Sequence, residues 1–157
     1  MLSRRWTFKE TELLIKADEE RAIQAAIQAA LRARANIERE CESLPVFSSS
    51  LEPNRLVSEE LPPAVRLMLR AGEFAGVGPF AAVAGTIAQL AAEAALDAGA
   101  RNVVIENGGD IALAGERNFR VGIFAGEASF SGRLALEFFP DDLPAGACTS
   151  SGKVGHS

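Results

Sequence analysis

The sequence predicts an α+β fold in which helices pack on one face of a mainly antiparallel sheet. Paired runs of alternating apolar residues lie near both ends of the chain, and stretches with helical periodicity lie between them. The regular alternation of single strands and helices that a parallel, doubly wound sheet requires does not occur. With 157 residues, 48% of them hydrophobic, the chain is long enough to form one core. We therefore expect residues 1–157 to form a single domain.

The chain begins with a predicted β-hairpin and a long helix. Residues 4–9 and 11–16 carry apolar side chains on either side of a polar turn, which is typical of two antiparallel strands. Apolar residues then recur at every third or fourth position as far as Cys41, which predicts an amphipathic helix with Asp18 as its N-cap. We expect the apolar stripe of this helix to cover the sheet.

Residues 43–63 are rich in proline and serine and predict a long connection before a short helix over 64–70. Connections of this length are uncommon within a compact domain. Two interpretations remain open. The connection closes over a ligand, or it only crosses from one half of the chain to the other.

A glycine-rich segment then leads into an alanine-rich helix predicted over 80–97. Gly76, Gly78 and Pro79 precede this helix, so free backbone N–H groups at its positive end would suit a phosphate or a carboxylate. The segment has neither the glycine spacing of a dinucleotide-binding loop nor the lysine of a P-loop. Gly76 and Gly78 are candidate ligand-binding residues on the helix-terminus argument alone.

A second hairpin is predicted at the centre of the chain, where apolar residues 103–105 and 111–113 flank a polar glycine turn. Two adjacent glycines lack Cβ atoms and let a ligand approach the backbone, while an amide and carboxylates stand beside them. The candidate ligand-binding residues at this tip are Asn107, Gly108, Gly109 and Asp110. A plain surface hairpin with a solvated Asp110 is the alternative interpretation.

The last part of the chain contains two more predicted strands, 118–124 and 133–138, and a hydroxyl-rich end. Hydroxyls and a glycine in succession can surround an anionic group. The candidate ligand-binding residues here are Thr149, Ser150, Ser151 and Gly152. His156 is the candidate acid or base, because histidine titrates near neutral pH; a flexible chain end is the alternative. A serine hydrolase is excluded, since the Gly-x-Ser-x-Gly elbow is missing.

Charge and composition exclude several classes of protein. A net charge of −5 argues against a nucleic-acid-binding surface. Cys41 and Cys148 lie far apart, so we expect small buried thiols rather than a disulfide framework or a zinc site. Residues 80–96 are apolar but interrupted by polar residues, and no signal peptide is visible. We expect a cytoplasmic protein without a membrane segment.

Three segments, 76–85, 106–111 and 148–157, together resemble sequences of the ApbE-like superfamily, specifically its uncharacterised cytoplasmic branch. The second of them, Glu-Asn-Gly-Gly-Asp-Ile, resembles the family's glycine-glycine-aspartate signature. The resemblance implies a two-layer, T-fold-like domain that binds FAD or FMN, possesses FAD:protein FMN transferase activity and acts on an acceptor protein. A ligand-binding or assembly protein without catalysis, and a pterin- or purine-handling enzyme, are the alternatives.

The same resemblance bears on the metal. In the flavin transferases the Mg²⁺ ligands come largely from an aspartate and a threonine beyond the Thr-Ser-Gly loop, whereas this sequence ends at Ser157. We therefore expect the family's C-terminal segment, and with it Mg²⁺, to be missing from this chain. Lys153 also stands where a small residue is typical.

Overall fold

The computed structural model of the protein describes residues 1–54 and 60–149. Its strands are β1 Leu2–Phe8, β2 Thr11–Ala17, β3 Asn102–Asn107, β4 Asp110–Gly115, β5 Phe119–Gly122, β6 Ala135–Phe138 and β7 Ala145–Cys148. Five of them form an antiparallel sheet in the order β1-β2-β3-β4-β7, and β5 pairs with β6 in a separate two-stranded sheet.

The helices of the described residues are α1 Glu20–Ser43, α2 Val46–Ser49, α3 Pro63–Ala75 and α4 Val83–Asp97. Two 3-10 turns, Pro79–Ala82 and Pro140–Asp142, precede α4 and β7. Helix α1 packs on α4 and β2, and α4 packs on β3 and β4. The fold is therefore α+β, with helices on one face of an antiparallel sheet, as the sequence predicts.

Alternating side chains explain why the helices occupy this face. In β2, Leu13, Ile15 and Ala17 are fully buried, while the residues between them are exposed or half-buried. In β3, Val103 and Ile105 lie on the same face and are also fully buried. Small side chains bring α4 close to this surface. The buried alanines of α4 are Ala88, Ala91, Ala92 and Ala95.

One helical segment of the described chain, Pro79–Asp97, is long and apolar enough to cross a membrane by length and composition alone. The expectation that its polar residues disqualify it by composition is therefore wrong. The segment nevertheless packs on α1, β3 and β4, as the central helix of a protein core does.

Three features of the fold differ from the sequence predictions. The strands predicted over 118–124 and 133–138 form a sheet of their own and do not extend the main sheet. The fifth strand of the main sheet is β7, which lies in a segment where no strand was predicted. Helix α3 is longer than predicted and ends at Gly76, whose φ of 72° allows a left-handed cap that favours glycine.

Asp18 does not cap α1. Glu19 occupies the N-cap position, and it makes no capping hydrogen bond with its side chain. The Asp18 carboxylate instead accepts a hydrogen bond from the backbone N–H of Asn102 at 2.8 Å. Asn102 Oδ1 in turn accepts a hydrogen bond from the backbone N–H of Glu116 at 3.0 Å. These polar bonds join the ends of β2, β3 and β4.

Candidate functional site

A groove of about 750 Å³ lies on the helix side of the sheet, between α3 and α4 and the strands β4 and β7. It exists because α4 covers β3 and β4, whereas the edge strand β7 lies beyond the helix layer. The side chains that line it are mostly small or apolar. The principal lining residues are Leu67, Arg70, Ala71, Phe74, Gly85, Glu93, Leu96, Asp110, Ala112, Pro144, Gly146 and Cys148.

Asp110 is the acidic group that β4 contributes to this groove. It is the first residue of β4, and its cross-strand partners are Asn107 on β3 and Cys148 on β7. Within residues 1–54 and 60–149 its carboxylate has no hydrogen-bond or ion-pair partner. Removal from water raises the pKa of Asp110 above its ordinary value of 3.8. The carboxylate is thus a hydrogen-bond acceptor in mainly apolar surroundings.

Gly85 of α4 provides the room for that carboxylate. A Cβ atom at this position would lie 3.4 Å from Asp110 Oδ1. Apart from its chain neighbours and the nearby backbone of α4, no other heavy atom of the described structure would lie within 4 Å of it. Gly85 lines the groove together with Asp110. The missing side chain therefore leaves one approach to the carboxylate open.

Asn107 holds the hairpin in place. Its side chain is 8% exposed, and its Nδ2 donates a hydrogen bond to the carbonyl oxygen of Ala84 at 3.1 Å. This bond joins the end of β3 to the first turn of α4. The amide therefore fixes Asp110, its cross-strand neighbour, relative to Gly85.

The two tip glycines have different roles. Gly108 has a φ of 62° and open space around it, so the turn needs its backbone conformation. Gly109 has little space, because a Cβ atom there would lie 2.7 Å from Thr149 Oγ1 and 2.8 Å from the Thr149 carbonyl oxygen. The N–H of Thr149 donates to the carbonyl oxygen of Gly109 at 3.1 Å. Thr149 thus lies against the hairpin tip, as a site shared by both segments requires.

The remaining predicted residues divide into two groups. Gly76 caps α3, and the N–H of Gly78 donates to the carbonyl oxygen of Leu51 at 2.9 Å. A Cβ atom at Gly78 would overlap the carbonyl oxygen of Ser50. Both glycines therefore have structural roles, and neither lines the groove. The other predicted residues, Ser150, Ser151, Gly152 and His156, lie outside the described residues.

Among residues 1–54 and 60–149, no group of three or more His, Cys, Asp or Glu side chains is arranged to hold a metal ion. The described part of the groove offers the carboxylates of Asp110 and Glu93, the guanidinium of Arg70, a thiol and a few polar side chains on a mainly apolar surface. That combination suits ligand binding by burial of apolar surface and a few charged contacts.

A family model described as AbpE bacteria matches residues 3–157. The chain belongs to this family. Three similar curated proteins are named UPF0280 protein. That of Methanococcus aeolicus is 40% identical over 100% of this chain and 64% of its own length. That of Methanosarcina acetivorans is 44% identical over 95% of this chain and 58% of its own length. That of Methanosphaerula palustris is 43% identical over 100% of this chain and 65% of its own length.

The chain thus spans roughly three-fifths of the length of these relatives. The assignment to the ApbE-like flavin transferase superfamily is wrong, because the matching family is AbpE bacteria and the similar proteins are UPF0280 proteins. The flavin transferase function has no support. The Asn-Gly-Gly-Asp segment that suggested them is explained by the turn, by Thr149 and by the bond to Ala84.

Three of the residues that line the groove were not predicted from the sequence as site residues. Gly85 lies within the helix predicted over 80–97 and is not among the candidate residues, although it borders Asp110. Cys148 was expected to be buried, but it is exposed and lines the groove; Cys41 is half-buried. Phe74, 96% exposed at the end of α3, was placed outside any helix. A phenylalanine among glycines and alanines was the one sequence signal available for it.

Proposed function

We propose that this chain binds a mainly apolar, ring-containing small molecule that presents a positive charge or hydrogen-bond donors to Asp110. The observation that carries the proposal is the half-buried Asp110 carboxylate, which lines an apolar groove and has no partner within the described residues. Among the described residues, no group compensates this carboxylate for the part of its hydration that it has lost. A cationic or N–H-donating ligand supplies that compensation.

The size and lining of the groove support a small organic ligand. Pockets for such ligands typically measure about 300–1,000 Å³ and combine an apolar lining with a few polar groups. The groove volume of about 750 Å³ falls within this range. Phe74 provides an exposed aromatic ring at the same groove, and an aromatic ligand gains from stacking on such a ring.

The charge of the ligand follows from the polar groups that are available to bind it. The N–H groups of Val77 and Gly78, in the segment predicted to bind an anion, donate to Gly72 and Leu51. Those two donors are therefore already occupied, whereas the Asp110 carboxylate is available. The groove lining carries two carboxylates, Asp110 and Glu93, and one guanidinium, Arg70, so its charge favours a cation over an anion.

Three probes of equal shape test the proposal: benzamidine, which is cationic, benzamide, which is neutral, and benzoate, which is anionic. We expect dissociation constants in the millimolar range at pH 7, in the order benzamidine below benzamide below benzoate, as measured by NMR titration. Asp110→Asn should remove the advantage of benzamidine over benzamide. Equal affinities for all three probes in the wild-type protein would exclude the proposed role of Asp110.

A second variant tests the groove itself. Gly146 lines the groove on the edge strand, and a Cβ atom there would meet only the carbonyl oxygen of Ile111, at 3.7 Å. Gly146→Val should therefore fold normally and weaken benzamidine and benzamide at least about tenfold by filling the groove. Gly122→Val is the matched control, because Gly122 on β5 has open space around it and does not line the groove. Unchanged binding by Gly146→Val would place the probes elsewhere.

We also infer that the protein acts in the cytoplasm. Both cysteines are free thiols, which suits a reducing compartment. A net charge of −5 speaks against nucleic acid as a partner. Alkylation of both thiols in protein taken rapidly from intact cells tests the location, and an oxidised pool would contradict it.

A further inference from the structure

The two edges of the five-stranded sheet differ in how they are protected. Strand β1 carries Arg4 and Arg5, which form ion pairs with Glu20 and Glu12. Charged side chains on an edge strand oppose pairing with a further strand. Strand β7, with the sequence Ala-Gly-Ala-Cys, carries no charged residue and no proline. Among the described residues, this edge lacks the charged side chains that protect the other edge.

The hydrogen-bond pattern identifies the free backbone groups of β7. The N–H of Thr149 donates to Gly109 on the β4 side. Because the direction alternates along a strand, the backbone groups of Ala147 and Ala145 also point toward β4, and those of Gly146 and Cys148 point away from the sheet. Within residues 1–54 and 60–149 the strand pairs on one side only. Two N–H and two C=O groups are thus presented to a further strand.

We propose that β7 pairs antiparallel with β7 of a second copy of this chain, which joins two sheets into one about a twofold axis. An antiparallel pair of identical strands is symmetric by construction, and twofold homodimers are the commonest soluble oligomers. The absence of charge on β7 means that no like charges meet across the axis, whereas two β1 edges would bring arginines together. Self-pairing therefore selects the β7 edge.

The register follows from the same alternation. The outward backbone groups belong to Gly146 and Cys148. Gly146 of one copy therefore pairs with Cys148 of the other copy, and the reverse pair also forms, which gives about four hydrogen bonds. The axis then passes beside Ala147, which faces the partner's Ala147 in a pair without hydrogen bonds. The side chain of Ala147 lies on the sheet face opposite the helices, since it pairs with Ile111 rather than with Asp110. Ala147 nevertheless borders the groove on the edge strand.

The expected affinity is modest. A pair of four-residue strands buries less than the roughly 800 Å² per partner of a standard interface. We therefore expect a dissociation constant in the micromolar range, which sedimentation equilibrium at about 1 to 500 μM resolves. A monomer throughout this range would overturn the proposal.

Cysteine cross-linking tests the register independently of affinity. In a background of Cys41→Ser and Cys148→Ser, Ala147→Cys places two thiols across the axis, about 4.5 Å apart at their Cα atoms. We expect it to form an intermolecular disulfide at least about tenfold faster than Ala135→Cys, a matched control on β6. Equal rates for the two variants would overturn the proposed pairing.

A charged side chain at position 147 tests the same pairing by weakening it. Ala147→Lys puts like charges opposite each other and should weaken the dimer at least about tenfold, whereas Ala135→Lys should not. Circular dichroism confirms that both variants remain folded. A dimer that withstands Ala147→Lys unchanged would show that another surface joins the copies. The probe titrations of the groove do not depend on this result.

Discussion

Asn107 and Ala84 are joined by a hydrogen bond of 3.1 Å from the Asn107 side-chain amide to the Ala84 carbonyl oxygen. Ala84 lies in the first turn of α4, next to Gly85, and Asn107 is the cross-strand partner of Asp110. One buried amide thus fixes the distance between the helix and the acidic end of the groove.

Asn107→Ala should lower the free energy of unfolding by about 1–2 kcal/mol, because a largely buried hydrogen bond is lost. Urea denaturation measures this change. Asn118→Ala is the matched control, since Asn118 is exposed and its side chain has no hydrogen bond within the described residues. Equal effects of the two substitutions would mean that the Asn107 bond contributes nothing to stability.

The pKa of Asp110 predicts a pH dependence of stability. Burial raises the pKa of Asp110 above 3.8 in the folded protein, so the folded state binds this proton more tightly than the unfolded state. Stability is therefore lost as pH rises from about 3.8 through the raised pKa. We expect Asp110→Asn to melt above the wild type at pH 7 and to lose that advantage as the pH approaches 3.8. A difference in melting temperature that does not change with pH would contradict this.

Gly108 and Gly109 should respond differently to substitution. Gly109→Ala forces a Cβ atom against Thr149 Oγ1 and its carbonyl oxygen, so it should cost about 1–3 kcal/mol through overpacking. Gly108→Asn should cost less than about 1 kcal/mol, because Gly108 has open space and asparagine tolerates a positive φ. Urea denaturation of both variants decides this, and a larger loss for Gly108→Asn would reverse the assigned roles.

The two hairpins of the main sheet were predictable because their information is local. Residues 4–9 and 11–16, and the apolar runs on either side of Gly108 and Gly109, alternate with a period of two and meet at short turns. Strand β7 was not predictable. Ala-Gly-Ala-Cys contains no β-branched or aromatic residue, and its pairing with β4 joins residues 32 to 38 positions apart.

The candidate site was predictable only in part, for the same physical reason. The hairpin motif pointed to Asn107 and Asp110, and the structure places both beside α4. The groove itself depends on how far α4 reaches across the sheet, which is set by tertiary packing of small residues. Gly85 and Gly146 become site residues only through that packing, so no local pattern marks them.

Glycine at position 85 lowers the stability of α4 but leaves Asp110 accessible to a ligand. Glycine inside a helix costs about 0.5–1 kcal/mol relative to alanine, and Gly85 lies in the first turn of α4. A Cβ atom there would lie 3.4 Å from Asp110 Oδ1, which is close enough to exclude water and a ligand from that side. Gly85→Ala should therefore raise the free energy of unfolding by up to about 1 kcal/mol and weaken benzamidine binding several-fold. Urea denaturation and NMR titration of the same sample measure both effects. A stabilised variant that binds benzamidine as well as the wild type would show that this side of the carboxylate is not the one a ligand uses.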